Sequence, residues 1–173
     1  MRLRRARPED AAGICAIANP IIRDTLVTFT TVLRRPEEVA AQIVERGSGF
    51  LVAEAGTRIV GFASYGRFRA GPGYRHSAEH SINLDPAARG QGLGRRLMSR
   101  LEAEAAAAGI HVLVAGISGA NPGAIGFHQR LGYAEVGRLP EVGFKAGQWL
   151  DLVLMQKILP AAARPADRPG GGG

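Results

Sequence analysis

Cysteine is nearly absent: Cys15 is the only one in 173 residues, so no intramolecular disulfide can form. It sits between Ile14 and Ile17 in a helical pattern, where a packed structural thiol is expected rather than a nucleophile. Long apolar runs are also missing. None reaches the ~20 residues that a membrane span needs, and residues 1–30 carry Arg2, Arg4, Arg5 and Arg7 without a continuous apolar stretch of the secretory type. Lysine is scarce, with 2 against 20 arginines, and the net charge is +7. The arginines are scattered and never form a run of five or six. Aromatics make up only 6%. Neither a nucleic-acid tract nor a membrane-binding tract is indicated; most of this charge is read as solvated surface and a minority as phosphate-binding. Hydrophobic residues at 46% argue for a globular chain, and the length suits one domain with a sizeable core. The expectation is a soluble cytoplasmic protein.

What is present alternates strand and helix signals. Residues 3–6 predict a first strand. Pro8-Glu9-Asp10 starts a helix with Ile14, Ile17 and Ile21 at helical spacing, and Pro36-Glu37-Glu38 starts a second through Val39 and Ile43 to about Arg46. Residues 50–54 and 58–65 predict a hairpin around Ala55-Gly56-Thr57. A Gly- and Arg-rich loop over 66–76 precedes a strand over 77–84. Leu93, Leu97 and Leu101 mark a long helix ending at Gly109. Residues 112–117 predict a central strand, and Asn121-Pro122 predicts the cap and first residue of a helix ending near Gly132. Residues 133–139 and 150–155 predict closing strands. From 160 onward the chain is Ala, Pro, Arg and Gly, expected as a disordered tail. The order β-α-α-β-β-β-α-β-α-β-β predicts a single α/β domain over 1–159, a mixed central sheet with helices on both faces.

The chemistry starts at Arg89-Gly90-Gln91-Gly92-Leu93-Gly94, a glycine-rich turn opening a helix after Asp85-Pro86. Such a turn presents unobstructed backbone N–H groups to a phosphate or pyrophosphate. A dinucleotide loop needs Gly-x-Gly-x-x-Gly, and the last position counted from Gly90 is Arg95. The nucleotide-triphosphatase loop ends in Gly-Lys-Ser/Thr, which is absent.

The Arg-Gly-x-Gly-x-Gly form closely resembles the coenzyme A pyrophosphate loop of the GNAT superfamily of N-acetyltransferases, whose Gln/Arg-x-x-Gly-x-Gly/Ala signature falls on Arg89, Gly92 and Gly94. The segment Phe127-His128-Gln129-Arg130-Leu131-Gly132-Tyr133 resembles the superfamily's other landmark. Most members carry there a tyrosine that protonates the departing thiolate; His128 in its place resembles the phosphinothricin and methionine sulfoximine/sulfone acetyltransferase branch. Phe68-Arg69, Tyr74, Glu79-His80-Ser81 and Gly143-Phe144-Lys145-Ala146-Gly147-Gln148-Trp149-Leu150-Asp151 fit the same branch. The resemblance covers residues 2–158. One departure is Ser81-Ile82-Asn83-Leu84, where the branch has Ser-Val-Tyr-Val.

The resemblance implies the GNAT fold, acetyl-CoA as donor and a small amino-acid analogue as acceptor, in a homodimer with no nucleic-acid or membrane partner and no metal. It assigns Glu79 as general base, directly or through water, and His128 as acid for the thiolate or as an orienting group. Ile82, Asn83 and Leu84 are implied to hold pantetheine and the thioester. Arg89, Gly90, Gln91, Gly92, Leu93, Gly94 and Arg95 are implied to hold the pyrophosphate, with Asn121 touching coenzyme A as well as capping its helix. Phe29, Phe68, Arg69, Ala70, Tyr74, Glu79, His80 and Ser81 are implied to surround the acceptor. Within that set, Arg69 has a guanidinium fork suited to a carboxylate.

Other readings keep the fold and change the partner: a protein N-terminus or another small amine as acceptor, or a non-catalytic acyl-CoA-binding scaffold. A distant one is a zinc hydrolase, because His76-Ser77-Ala78-Glu79-His80 spells His-x-x-Glu-His. That motif needs a helix; on a strand four residues span ~13 Å, too far for two ~2 Å bonds to one zinc.

Overall fold

The computed structural model describes residues 1–160, so the tail expected beyond them lies outside the described residues. In chain order the elements are β1 (Arg2–Arg5), α1 (Ala11–Asp24), α2 (Pro36–Arg46), β2 (Phe50–Ala55), β3 (Arg58–Arg67), β4 (Ser77–Leu84), α3 (Leu93–Ala107), β5 (Val112–Ser118), α4 (Pro122–Arg130), β6 (Ala134–Lys145) and β7 (Gln148–Ile158). The predicted order holds element by element. Pro8–Asp10 forms a 3-10 turn leading into α1 rather than its first turn. Asp10 accepts there from the Arg7 backbone N–H and from Arg4, which also donates to Glu54, so one guanidinium ties β1 to β2 and to the start of α1.

All seven strands form one sheet in the order β1-β2-β3-β4-β5-β7-β6. Every pairing is antiparallel except β4 with β5. Alternation along the strands sends successive side chains to opposite faces. On one face Phe50, Val52, Ile59 and Phe62 pack under Ile14, Ile17 and Ala18 of α1 and Val39 and Ile43 of α2. On the other, Leu51, Ala63, Leu113, Val153 and Met155 pack under Leu97, Met98, Leu101 and Ala105 of α3. Cys15 is buried in the first of these cores, as a structural thiol should be.

Two expectations need correction. The closing strands are much longer than predicted: β6 and β7 pair to their tips, with Lys145 opposite Gln148. The turn between them is Ala146-Gly147, both at positive φ (49° and 74°), which suits the right-handed twist of a two-residue hairpin. Polar and small residues broke the apolar alternation and hid this segment. The loop expected over 66–76 is shorter, because Gly66 and Arg67 remain paired with Glu79 and Ala78 in the sheet.

Beyond His80 and Ala115 the parallel pair separates. β4 and β5 are in register over 77–80 against 112–115. Further on, β4 bonds only to β3, and Gly116, Ile117 and Ser118 bond only to β7. The backbone of residues 81–84 thus has one edge open to a wedge in the middle of the sheet.

The chain between α1 and α2 closes over this wedge and is tied down by Lys145. Its Nζ, on a side chain only 6% exposed, donates to the carbonyls of Ile22 (2.7 Å) and Thr28 (2.8 Å). Replacement of Lys145 by Met should leave both carbonyls unsatisfied and lower the unfolding free energy by about 2 kcal/mol, measured by urea titration. Unchanged stability would show that the tether carries no weight.

Candidate active site

The wedge opens into a cavity of about 800 Å³. One wall is His80 and the free edge of β4 from Ser81 to Leu84. Opposite it lie Ala115, Gly116 and Ile117 of β5. The floor holds Arg89, Gly90, Gly92, Leu93, Gly94 and Arg95, and Asn121 and His128 come from α4. Ala18, Ile21, Ile22, Thr28, Thr30 and Arg34 close the α1 side.

The glycine-rich turn is built for an anion. Gly90 and Gly92 adopt φ of +74° and +72°, a conformation that L side chains rarely adopt. Gly92 is the residue before α3, so the first N–H groups of that helix, which have no partner within it, open onto the cavity. Gly94 allows α3 and α4 to meet: a Cβ there would stand 3.1 Å from the Phe127 ring. Arg89 donates to the Leu84 carbonyl (3.3 Å) and Gln91 to the Ala87 carbonyl (3.2 Å), which fixes the turn to the chain that enters it. Gln91 itself does not line the cavity. The Asn121 side chain caps α4 by accepting from the Ala124 N–H (3.1 Å), as its sequence position required.

Two histidines meet behind the wedge. His80 and His128 are 6% and 4% exposed, and their Nε2 atoms are 3.0 Å apart. His128 Nδ1 lies 2.8 Å from the Ala124 carbonyl, which can only accept, so that nitrogen carries the proton. Burial lowers the His128 pKa, keeping the ring neutral with its Nε2 lone pair free. His80 must then donate through its own Nε2–H, leaving a buried Nδ1 with no partner. Burial, reinforced by His128, pushes the His80 pKa far below the ordinary imidazole value. Tyr133 packs against both rings at 5.2 Å between centroids.

Glu79 stands on the other face of β4, exposed, opposite Gly66 on one side and Val114 on the other. Glu79 is still paired with Val114, at the closed end of the wedge, and is not among the residues lining the cavity; a Cβ on Gly116 would approach its Oε1 to 2.9 Å, so the carboxyl reaches past the last paired rung to bare backbone where the strands part. Partial burial raises its pKa above the usual glutamate value. Ser81 and residues 82–84 line the cavity as expected. Phe29 does not; its ring covers Gly143, where a Cβ would meet it at 2.6 Å, while Thr28 and Thr30 on either side face the space. Phe68, Arg69, Ala70 and Tyr74 stay outside the cavity lining. Phe68 meets Tyr74 edge-on (6.2 Å) and Arg69 lies over Phe68 (5.3 Å), forming a small aromatic and cationic cluster beside the mouth. The zinc reading loses its geometry: Glu79 and His80 alternate across a strand, and among the described residues no group of three His, Cys, Asp or Glu is placed to hold a metal. Sequence reasoning missed Arg34 and the Lys145 tether.

The chain that builds this wedge and its glycine turn matches known proteins. The family model for the acetyltransferase (GNAT) family covers residues 20–133. The chain belongs to the GNAT acetyltransferase family. It is 39% identical over 170 residues to the L-methionine sulfoximine/L-methionine sulfone acetyltransferase of Salmonella typhimurium, covering 95% of this chain and 98% of that protein. It is 33% identical to the phosphinothricin N-acetyltransferase of Alcaligenes faecalis, covering 92% and 83%. Its structure resembles that of yncA from Salmonella typhimurium, a putative acetyltransferase solved with acetyl-CoA, at a TM-score of 0.90 and 38% identity, covering 96% and 98%. The chain is a GNAT acetyltransferase using acetyl-CoA, and the glycine turn and open β4 edge fit that cofactor's pyrophosphate and pantetheine.

The two histidines of this GNAT enzyme give a pH signature. Their folded pKa values are lowered, so both bind protons on unfolding. The stability they contribute is present above the unfolded value near 6.5 and is lost as pH falls below it toward the folded values. Stability should therefore fall below pH 6.5 by about 1.4 kcal/mol per pH unit for each histidine. Urea titrations of His80→Asn should show a slope shallower by one proton; an identical slope would mean that His80 titrates normally in the folded chain.

Proposed function

We propose that this enzyme moves an acetyl group from acetyl-CoA to the amino group of a small amino-acid analogue of the phosphinothricin, methionine sulfoximine or methionine sulfone type, with Glu79 as general base. The observation that carries the reading is the position of Glu79 at the closed end of the wedge, its carboxyl reaching Gly116 where β4 and β5 part, with a pKa raised by burial alone. An acceptor amine is protonated at neutral pH and must lose a proton to attack; a carboxylate of raised pKa beside it accepts that proton, directly or through one water. The relatives' names supply the acceptor class.

The remaining residues bind and orient. Acetyl-CoA brings the activated acetyl group as a thioester; residues 82–84 offer backbone groups along its pantetheine arm, and Arg89 through Arg95 face its pyrophosphate, with Asn121 at the far side. Of the two roles open to His128, its hydrogen bonds support the orienting one. Its Nδ1–H goes to Ala124 and its Nε2 accepts from His80, so neither nitrogen holds a proton free for the thiolate. His80 and Ser81 form the wall nearest the reacting groups, and the Phe68, Arg69, Ala70 and Tyr74 cluster is assigned to the acceptor's entrance, with Phe29 behind the pocket.

The enzyme is further proposed to work as a homodimer in the cytoplasm. The β6–β7 hairpin supports a partner surface: Val142, Phe144 and Trp149 are exposed there, with the two rings 4.7 Å apart.

Thiol release from acetyl-CoA, screened against phosphinothricin, methionine sulfone and N-terminal peptides, separates the acceptor classes; release with peptides alone would replace the small-molecule reading. Glu79→Gln should slow turnover about 100-fold or more without weakening acetyl-CoA binding by calorimetry. Gly92→Val should do the opposite and impair binding itself. Normal turnover by Glu79→Gln would remove Glu79 as the base.

A further inference from the structure

Arg34 is a charged residue of the cavity lining that the donor and the base do not use. It lines the α1 side, and its Nη1 is buried with no hydrogen-bond partner. Among the described residues no carboxylate lies within ion-pair distance of it. Its backbone is clamped by Asn19, which accepts from the Arg34 N–H (2.9 Å) and donates to the Arg34 carbonyl (3.1 Å). The guanidinium then lies over the Phe62 ring, 5.7 Å from its centroid. Burial lowers its pKa, and the like charge of Arg46 adds to the effect. Arg46 stands further along the same face, donating to Ser64 Oγ (2.6 Å). A fixed, desolvated cation facing a cavity, with a second cation further along the same face, favours an anion in the space it faces.

The register shows which part of an acceptor reaches it. Phe62, Ser64 and Gly66 of β3 stand opposite Asn83, Ser81 and Glu79 of β4. Arg34 over Phe62 is therefore four rungs, ~13 Å along the strand, from the rung of the base. An α-carboxylate lies only about 3–4 Å from its own amine and stays near Glu79. Glu79 shortens the gap, because its Oε1 reaches the position of Gly116, past the last paired residue Ala115, and a group at the far end of the acceptor's side chain, about 6 Å from the amine, comes closer to Arg34 than the α-carboxylate can.

Building on the acceptor class given above, we propose that Arg34 is a specificity-determining residue that binds an anionic group at the distal end of the acceptor's side chain, such as a phosphinate or carboxylate. Acceptors with an uncharged distal group gain nothing from it.

The test compares phosphinothricin, whose distal phosphinate is charged, with methionine sulfone, whose distal sulfone is neutral. Arg34→Met keeps the stem on Phe62 and removes the charge. It should reduce kcat/KM for phosphinothricin about 10- to 100-fold and change that for methionine sulfone less than about threefold, with Arg34→Lys in between. Equal losses for the two acceptors, or no loss for phosphinothricin, would overturn the assignment. The melting temperature of Arg34→Met should equal or exceed that of the parent, since an unpaired buried charge is removed; a clear fall would make Arg34 a structural residue and also overturn it. If the parent enzyme acetylates only peptides, the small-acceptor reading fails on its own. Calorimetry then decides Arg34: phosphinothricin binding that is lost in Arg34→Met supports the anion site, and absence of binding to the parent refutes it.

Discussion

Two neighbouring strands that stop bonding to each other set the layout of this enzyme. A parallel pair in the middle of a sheet normally satisfies both backbones along its length. Here the pairing of β4 with β5 ends at His80 and Ala115, and the far half of β4 keeps one row of N–H and C=O groups unmatched. An open backbone edge inside a protein is costly unless something else meets it. The extended arm of coenzyme A is suited to that edge, and the α3 N-terminus opens onto the same cavity with N–H groups suited to a phosphate. The unpaired edge, the glycine turn and the buried histidine wall thus form a single arrangement.

The two faces of the sheet divide the labour. His80, on the α3 and α4 side, is taken out of water and held neutral by burial. Glu79, one residue earlier, faces the opposite side and keeps contact with solvent while its proton affinity rises. Strand alternation alone separates them. Adjacent residues can therefore hold opposite environments with no loop between them.

Much of this was legible in the sequence. The element order, the glycine turn and the Asn121 cap follow from local chemistry: φ > 0 at Gly92, a side-chain oxygen before Pro122, and a leucine period in α3. The family and the cofactor followed from the same residues. The length of the β6–β7 hairpin was hidden because Pro140, Glu141 and Gly143 interrupt its apolar pattern, and pairing with β7 overrides that interruption. Phe68, Arg69 and Tyr74 carry the right chemistry but sit beside the cavity, since a loop's side chains take positions that no period dictates. Arg34 was hidden for the opposite reason: in sequence it is one arginine among 20, and only the Asn19 clamp, distant along the chain, turns it inward.

The Lys145 tether has a mechanical corollary. Its neighbour Phe144 points outward beside Trp149, while Lys145 points inward to grip Ile22 and Thr28. A load placed on that aromatic pair from outside is one residue away from the anchor of the segment that roofs the cavity. The hairpin thus joins an exposed aromatic pair to the segment that closes the cavity.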